Sequence, residues 1–284
     1  MSADSHRERI VPHAGTYRRE LPVTLERLYE NAIDWEHLPY LHRSSFSRIE
    51  CVEAGEWGFR ARTWTQPYDE RRGFVIELRL DRELRRWITT TLDGPGAGTE
   101  IWTHAFALGE QRTQVVVDFF VPGLDAARRA EVGRYYTELY AQLYDEDVWM
   151  MSARQAQLDV TGLRGAEDAE DAAAVPIILG SLAEVRARLP ITIQSGARKF
   201  RIVESGGDLI AYSTLCPHLL GPLGESEVRD GIVECPWHGY RYDIRTRRCV
   251  SGANCSLAPA PKVIVSAESN VVLEFRNPAQ DPAA

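Results

Sequence analysis

From Ser47 to Val121, short runs of alternating polar and apolar residues follow one another, several separated by Gly-containing turns. Phe59-Arg-Ala-Arg-Thr-Trp64 is one such run. A period of two marks strands with one buried face. The pattern predicts strands over Ser47–Glu53, Trp57–Thr65, Phe74–Leu80, Leu84–Thr91, Glu100–Leu108 and Arg112–Val121. Two segments instead follow the helical period. Leu25, Leu28, Tyr29 and Ile33 predict a helix from Thr24 to about His37, with Thr24 as its N-cap. Val132, Tyr136, Leu139, Leu143 and Val148 predict one long helix from about Asp125 to Leu158. Further on, Ile177-Ile-Leu, Phe200-Arg-Ile-Val, Leu209-Ile-Ala-Tyr and Val263-Ile-Val are short apolar runs between Gly and polar turns, as in an all-β unit.

Between the two patterns, residues 161–176 are acidic and rich in small residues, and they lack apolar periodicity. They are expected to form a linker. This gives an α+β domain over 1–160, a β-rich domain over 177–276 and a tail over 277–284. About six antiparallel strands followed by one helix suggest a sheet curled around that helix, which resembles the helix-grip fold of START/SRPBCC-like ligand-binding domains.

The chain has 284 residues, 44% of them hydrophobic, enough for two cores. A net charge of −8 argues against nonspecific nucleic-acid binding. No apolar run reaches membrane-spanning length, and the polar start, Met1 to Arg9, does not read as a signal peptide, so a cytoplasmic location is expected. Of the five Cys, three (Cys51, Cys249 and Cys255) have no pattern. Cys249 and Cys255 could pair as a disulfide, but buried free thiols are the preferred reading.

The other two belong to Cys216-Pro-His218 and Cys235-Pro-Trp-His238, separated by sixteen residues. Each cluster offers one thiolate and one imidazole, the ligand set of a [2Fe–2S] centre in which two His replace two Cys on one iron. A structural zinc could also use two Cys and two His, but zinc sites usually pair Cys with Cys and His with His. The flanks, Cys216-Pro-His-Leu-Leu-Gly-Pro-Leu223 and Cys235-Pro-Trp-His-Gly-Tyr-Arg-Tyr-Asp243, closely resemble Rieske proteins of the oxygenase and ferredoxin branch. Gly221 and Trp237 stand where the respiratory branch carries disulfide cysteines, and Gly239-Tyr240 where it carries a Ser that donates a hydrogen bond to the cluster. Fewer hydrogen bonds to sulfur imply a low potential.

A second constellation lies in Glu30-Asn31-Ala-Ile-Asp34-Trp-Glu-His37-Leu-Pro39-Tyr-Leu-His42. Two His five residues apart lie about 140° apart on a regular helix. Pro39 disfavours helix at Leu38, so the helix is expected to break just after His37 and let His42 swing back. Asp34, one turn before His37, is placed to orient its imidazole. Two imidazoles lack one carboxylate to make the facial triad of non-haem Fe(II) oxygenases. The segment resembles the mononuclear-iron motif of Rieske oxygenases, Glu-Asn-x-x-Asp-x-x-His-x4-His. In that family the ligand Asp often follows a Glu within a helix, which selects Asp147 in Asp145-Glu-Asp147, with Asp145 as the alternative. Each of these acids could equally belong to a solvated helix face.

The resemblance spans both halves and implies a Rieske non-haem iron mono- or dioxygenase. Cys216, His218, Cys235 and His238 would hold the [2Fe–2S] cluster, and His37, His42 and Asp147 a mononuclear Fe(II). Asp34 would link a Rieske histidine to an iron-ligand histidine, and Asn31 would support the site. The implied reaction is hydroxylation, dihydroxylation or demethylation of a small organic substrate with O2. No Gly-rich dinucleotide fingerprint occurs, so electrons would come from an external NAD(P)H-dependent reductase or a ferredoxin. Family members commonly form head-to-tail homotrimers. Two departures stand out: the Rieske domain comes last rather than first, and the front domain is short. A linker of about 14 residues can span roughly 45–50 Å. The competing reading is a non-catalytic electron-transfer or ligand-binding protein. His104 is expected to be a packed core residue, although Trp102, His104 and Phe106 could line the pocket from one sheet face. His6 and His13 have no evident role.

Overall fold

The computed structural model describes residues 11–162 and 175–275. The predicted linker lies outside the described residues from 163 to 174, as do the tail and His6. The chain divides into two compact units after Ser152.

The first unit contains β1 (His13–Leu21), α1 (Leu25–Ile33), a 3-10 turn (Trp35–His37) and α2 (Leu38–Leu41). These are followed by β2 (Phe46–Gly55), β3 (Gly58–Thr65), β4 (Phe74–Asp81), β5 (Arg86–Thr91), β6 (Glu100–Gly109), β7 (Arg112–Phe120) and α3 (Ala126–Gly162), whose last ten residues run past the Ser152 boundary. The strands form one seven-stranded sheet in the order β1-β7-β6-β5-β4-β3-β2. Every pairing is antiparallel.

All six predicted strands are present. The seventh, β1, is missed by pattern because its buried residues Ala14, Tyr17 and Leu21 are irregularly spaced. A register shift between His13 and Gly15 accounts for the first irregularity. His13 is therefore not idle: its Nε2 lies 2.9 Å from Asp118 on β7.

Along β7, Thr113, Val115, Val117 and Phe119 are buried, and the face they share receives α3. Tyr144 and Met151 are buried in the same core, with Val132, Tyr136, Tyr140 and Val148 packed against it. This is the helix-grip arrangement expected from the element order. Burial of these apolar side chains is the main force holding helix to sheet. On β6 the inward residues are Thr103 and Ala105. Trp102, His104 and Phe106 consequently face the other way, and His104 and Phe106 line a shallow depression with Arg18, Gln114 and Val116. The expectation of a core His104 or a pocket-lining Trp102/His104/Phe106 face is corrected by this register.

The predicted helix from Thr24 to His37 is interrupted. Thr24 does cap α1, its hydroxyl accepting from the Arg27 N–H at 3.1 Å. However, α1 stops at Ile33, and Asp34 leaves the helical region at φ −81° and ψ 81°. Pro39 does not cause the break. It sits in the first turn of α2, where a missing N–H costs nothing.

The second unit comprises β8 (Ile177–Ser181), α4 (Leu182–Ala187), β9 (Ile191–Ser195), β10 (Arg198–Ser205), β11 (Asp208–Ser213), β12 (Val228–Arg229), β13 (Ile232–Glu234), β14 (Arg241–Asp243), β15 (Lys262–Val265) and β16 (Asn270–Glu274). They make three three-stranded sheets, β11-β10-β9, β12-β13-β14 and β15-β16-β8. Ile202, Ala211 and Leu273 are buried together where the first and third sheets meet. Among the described residues from 175 to 275 this unit is all-β apart from α4, whose Ser181 and Glu184 form a capping box.

In the first unit, α3 crosses β1 at Gly133. A Cβ there would lie 2.4 Å from the Ala14 carbonyl oxygen, a backbone atom that cannot yield cheaply. Gly133→Ala gains about 1 kcal/mol of helix propensity but forces helix and strand apart, at about 1–3 kcal/mol. Urea unfolding should show a net loss of stability, whereas Gly109→Ala, with nothing within 4 Å, should be nearly neutral.

Candidate metal centres

In the first unit, the break at Asp34 decides where the two imidazoles go. His37 closes the 3-10 turn, and His42 caps α2, its N–H donating to the Leu38 carbonyl at 3.2 Å. The rings meet edge to face with centroids 5.0 Å apart. Both side chains are buried, at 4% and 2% exposure. Across the cavity, α3 presents Asp147. Its Oδ1 lies 3.1 Å from His42 Nε2 and 3.6 Å from His37 Nε2. One ligand atom from each of His37, His42 and Asp147 lies within 4.8 Å of the others. A first-row metal about 2.1 Å from each ligand atom fits such a cluster.

Other residues aim these three. His42 Nδ1 donates to Glu146 Oε2 at 2.6 Å, which leaves Nε2 with its lone pair facing Asp147. Burial disfavours the His42 imidazolium, but hydrogen bonds and charge from Asp147 and Glu146 outweigh it and raise the pKa. The pocket therefore favours positive charge. The Asn31 amide donates to Asp147 Oδ1 at 2.9 Å. His37 Nδ1 faces Asp34 Oδ2 at 3.5 Å, longer than a hydrogen bond. Asp145, the alternative carboxylate, points away: it pairs with Arg19 at 2.6 Å and is 68% exposed.

The three residues border a cavity of about 150 Å³. Phe59, Ile76, Leu78 and Trp87 from the sheet line it, with Tyr140 and Tyr144 from α3. Of the other large aromatic residues in this unit, Trp64 is buried in the sheet and Trp149 is half exposed, and neither lines the cavity. Burial drives the Tyr144 hydroxyl well above its ordinary pKa, so it stays protonated.

In the second unit, Cys216 and His218 follow β11, and Cys235 and His238 lie between β13 and β14. The two loops have the same backbone. The Cys216 N–H donates to the Gly221 carbonyl and its carbonyl accepts from Leu220; Cys235 does the same with Tyr240 and Gly239. The fourth residue after each Cys is left-handed, Leu220 at φ 62° and Gly239 at φ 67°. Leu tolerates this conformation poorly, so the loop holds it there.

The loops converge. The imidazoles of His218 and His238 meet at 4.5 Å between centroids, and both Cys side chains are fully buried. Cys216 and Cys235 share a hydrogen bond that pushes the first thiol's pKa down and the second's up. The two can be thiolates together only when a cation neutralises them. Gly221 leaves room between the loops, since a Cβ there would lie 2.7 Å from Cys235 Sγ. Two thiols and two imidazoles converging in this way fit a [2Fe–2S] cluster. The wider groove of this unit, about 490 Å³, is lined by Arg198, Phe200, Ile210 and Arg245 and by none of these four residues.

Tyr242 was not anticipated from sequence. Its hydroxyl lies 3.2 Å from Cys216 Sγ and 3.5 Å from Cys255 Sγ. The expectation of sparse hydrogen bonding to the cluster sulfurs is therefore incomplete. Cys249 and Cys255 are free thiols, but half-buried rather than buried, and Cys51 is exposed.

The chain is similar to several known proteins, each over part of its length. The family model of the Rieske [2Fe-2S] domain matches residues 176–262. The ferredoxin subunit of anthranilate 1,2-dioxygenase from Burkholderia cepacia is 37% identical over 68 residues. That match covers 24% of this chain and 63% of the relative, less than two thirds of its length. Among solved structures, the ferredoxin of carbazole 1,9a-dioxygenase from Nocardioides aromaticivorans IC177 is 21% identical over 36% of this chain and 100% of that one, with a TM-score of 0.32. The Zhui aromatase/cyclase from Streptomyces sp. R1128 is 15% identical over 51% of this chain and 95% of that one, with a TM-score of 0.41. Residues 176–262 form a Rieske [2Fe–2S] domain, and the chain is thereby equipped for one-electron transfer.

A hydrogen bond donated to a cluster thiolate stabilises the reduced, more negative state and raises the potential. Replacing Tyr242 by Phe should lower the midpoint potential by about 59 mV, the one-electron equivalent of about 1.4 kcal/mol. Spectroelectrochemical titration of the visible bands checks this.

Proposed function

We propose that the protein is the terminal component of a Rieske non-haem iron oxygenase system, with a domain order of helix-grip unit (1–160), linker (161–176) and Rieske domain (177–276). The observation that carries this reading is the convergence of His37, His42 and Asp147 within 4.8 Å beside a lined cavity. Two neutral nitrogens and one carboxylate are the donor set of non-haem Fe(II) sites. An iron(II) held there would supply O2 activation.

The chain's own residues do the rest. Glu146 holds the Nδ1 proton of His42, and Asn31 steadies the Asp147 carboxylate. The apolar walls exclude water and hold the substrate against the site. We assign to Asp34 the link between a Rieske histidine and His37 in a head-to-tail homotrimer. An external reductase or ferredoxin loads the Rieske domain with electrons, in keeping with a cytoplasmic protein. Ligand pockets usually measure about 300–1,000 Å³, so a cavity of about 150 Å³ favours a small substrate. Its charged lining residues are Asp34 and Asp147, with no Lys or Arg lining it among the described residues, which disfavours an anionic substrate, and the rings of Trp87, Tyr140 and Tyr144 favour a cyclic or aromatic one.

The likeness to a dioxygenase ferredoxin subunit favours a second reading, an electron carrier with a ligand-binding domain. Iron content separates the two. Anaerobically purified protein should hold about three irons per chain, two in the cluster and one beyond it. His37→Ala and His42→Ala should remove the third iron and abolish reductase-dependent O2 uptake while leaving the cluster spectrum intact. Two irons per chain in the unaltered protein would establish the carrier reading. Glu146→Gln should weaken Fe(II) binding about 10–100-fold, the usual effect of losing a group that orients a ligand, as read by competition with a chelator.

A further inference from the structure

Two thiols beside the Rieske cluster are used by neither metal centre. Cys249 and Cys255 follow β14 on either side of the loop Val250-Ser-Gly-Ala-Asn254. The Cys249 N–H donates to the Cys255 carbonyl at 3.1 Å, and the Leu257 N–H to the Arg247 carbonyl at 2.8 Å. Arg248 and Ser256 form an antiparallel bridge between them. That register sets Cys249 directly opposite Cys255. Opposed residues in an antiparallel pair have Cα atoms about 4.5–5.5 Å apart, inside the range of about 4.4–6.8 Å that a disulfide spans. Each thiol also bears on the other's pKa: Cys255 helps to draw that of Cys249 down, and Cys249 helps to push that of Cys255 up. Both are reachable, being half-buried among exposed Val250, Ser251, Asn254 and Ser256. Gly252, at φ 102° with nothing within 4 Å, lets the loop adjust.

The pair is also wired to the cluster. Cys255 Sγ lies 3.5 Å from the Tyr242 hydroxyl, which lies 3.2 Å from Cys216 Sγ. With Cys216 a cluster thiolate, Tyr242 donates to it, and the Cys255 S–H donates to Tyr242. Each donation polarises the next.

We propose that Cys249 and Cys255 form a reversible thiol–disulfide modification site, oxidised by small disulfides such as oxidised glutathione, that lowers the potential of the Rieske cluster through Tyr242. Cys249, hydrogen-bonded to Ser251 Oγ at 3.2 Å, attacks glutathione disulfide as the thiolate and releases one glutathione thiol. Cys255 then attacks the mixed disulfide and releases the second. One S–S bond forms in the protein and one breaks in glutathione. The protein loses two electrons and two protons, and two glutathione thiols carry them away. A hydrogen-bonded cross-strand pair sets its Cβ atoms wide apart for a disulfide, which makes the bond strained and easily reduced. Once oxidised, Cys255 has no proton to give Tyr242. The donation to Cys216 weakens, and the reduced cluster loses stabilisation.

The test uses the full-length, cluster-loaded protein in a Cys51→Ser background, so that the exposed third thiol does not interfere. The protein is poised with reduced and then oxidised glutathione. Alkylation and peptide mass spectrometry read the thiols, and spectroelectrochemistry reads the cluster. A Cys249–Cys255 linked peptide should form, with a fall in midpoint potential that dithiothreitol reverses. Cys249→Ser, which does not touch Tyr242, should keep the reduced protein's potential under both conditions. Cys255→Ser, which keeps a proton donor beside Tyr242, should do likewise. Thiols that stay alkylatable in oxidised glutathione overturn the proposal, as does a disulfide that forms while the potential stays still.

Discussion

The packing of α3 into the concave face of the seven-stranded sheet is the contact on which the first unit depends. It buries Tyr144 and Met151 against Val115, Val117 and Phe119. The same helical face that supplies this apolar contact carries Asp147, one turn beyond Tyr144. Asp147 is thus fixed opposite α1 and α2, and its position is set by core packing rather than by a mobile loop. Sites built on packed elements hold their geometry more tightly than sites on loops. The second requirement is the break at Asp34, which lets His37 and His42 both reach the carboxylate. An uninterrupted helix would have splayed them apart.

The second unit meets a similar demand with different means. It cannot bring four ligands together from one helix, so it uses two loops of matching backbone, each closed by hydrogen bonds on its own Cys. Leu220 pays in backbone strain for a conformation that Gly239 adopts freely. At both candidate sites a polar neighbour from a distant part of the chain backs one of the converging side chains: Glu146 behind His42, and Tyr242 behind Cys216.

This contrast explains what was legible in the sequence. Short-range spacing exposes the two Cys/His pairs and the His37/His42 pair, because each lies within a few residues. The six regular strands and the long helix follow from periods of two and 3.6. Strand β1 does not, because its irregular start breaks the alternation. Choosing Asp147 over Asp145 from spacing requires following the helical stripe of Tyr140 and Tyr144, which passes through 147 and leaves 145 on the Arg19 side. The supporting residues were out of reach: the Glu146 contact spans 104 positions and the Tyr242–Cys216 contact 26. Pro39 drew attention to the wrong break, since a proline at a helix start and one at a helix end look alike in sequence.

The proposed oxygenase requires an isolated iron in the first unit beside the cluster iron of the second. Mössbauer spectroscopy of protein grown on enriched iron tests it most directly, because a cluster and a lone ferrous ion give separate quadrupole doublets. About one third of the iron should appear as an isolated high-spin ferrous doublet beside the cluster pair. That doublet should vanish in Asp147→Ala and persist in Asp145→Ala. Iron confined to the cluster doublets in the unaltered protein would rule out the oxygenase.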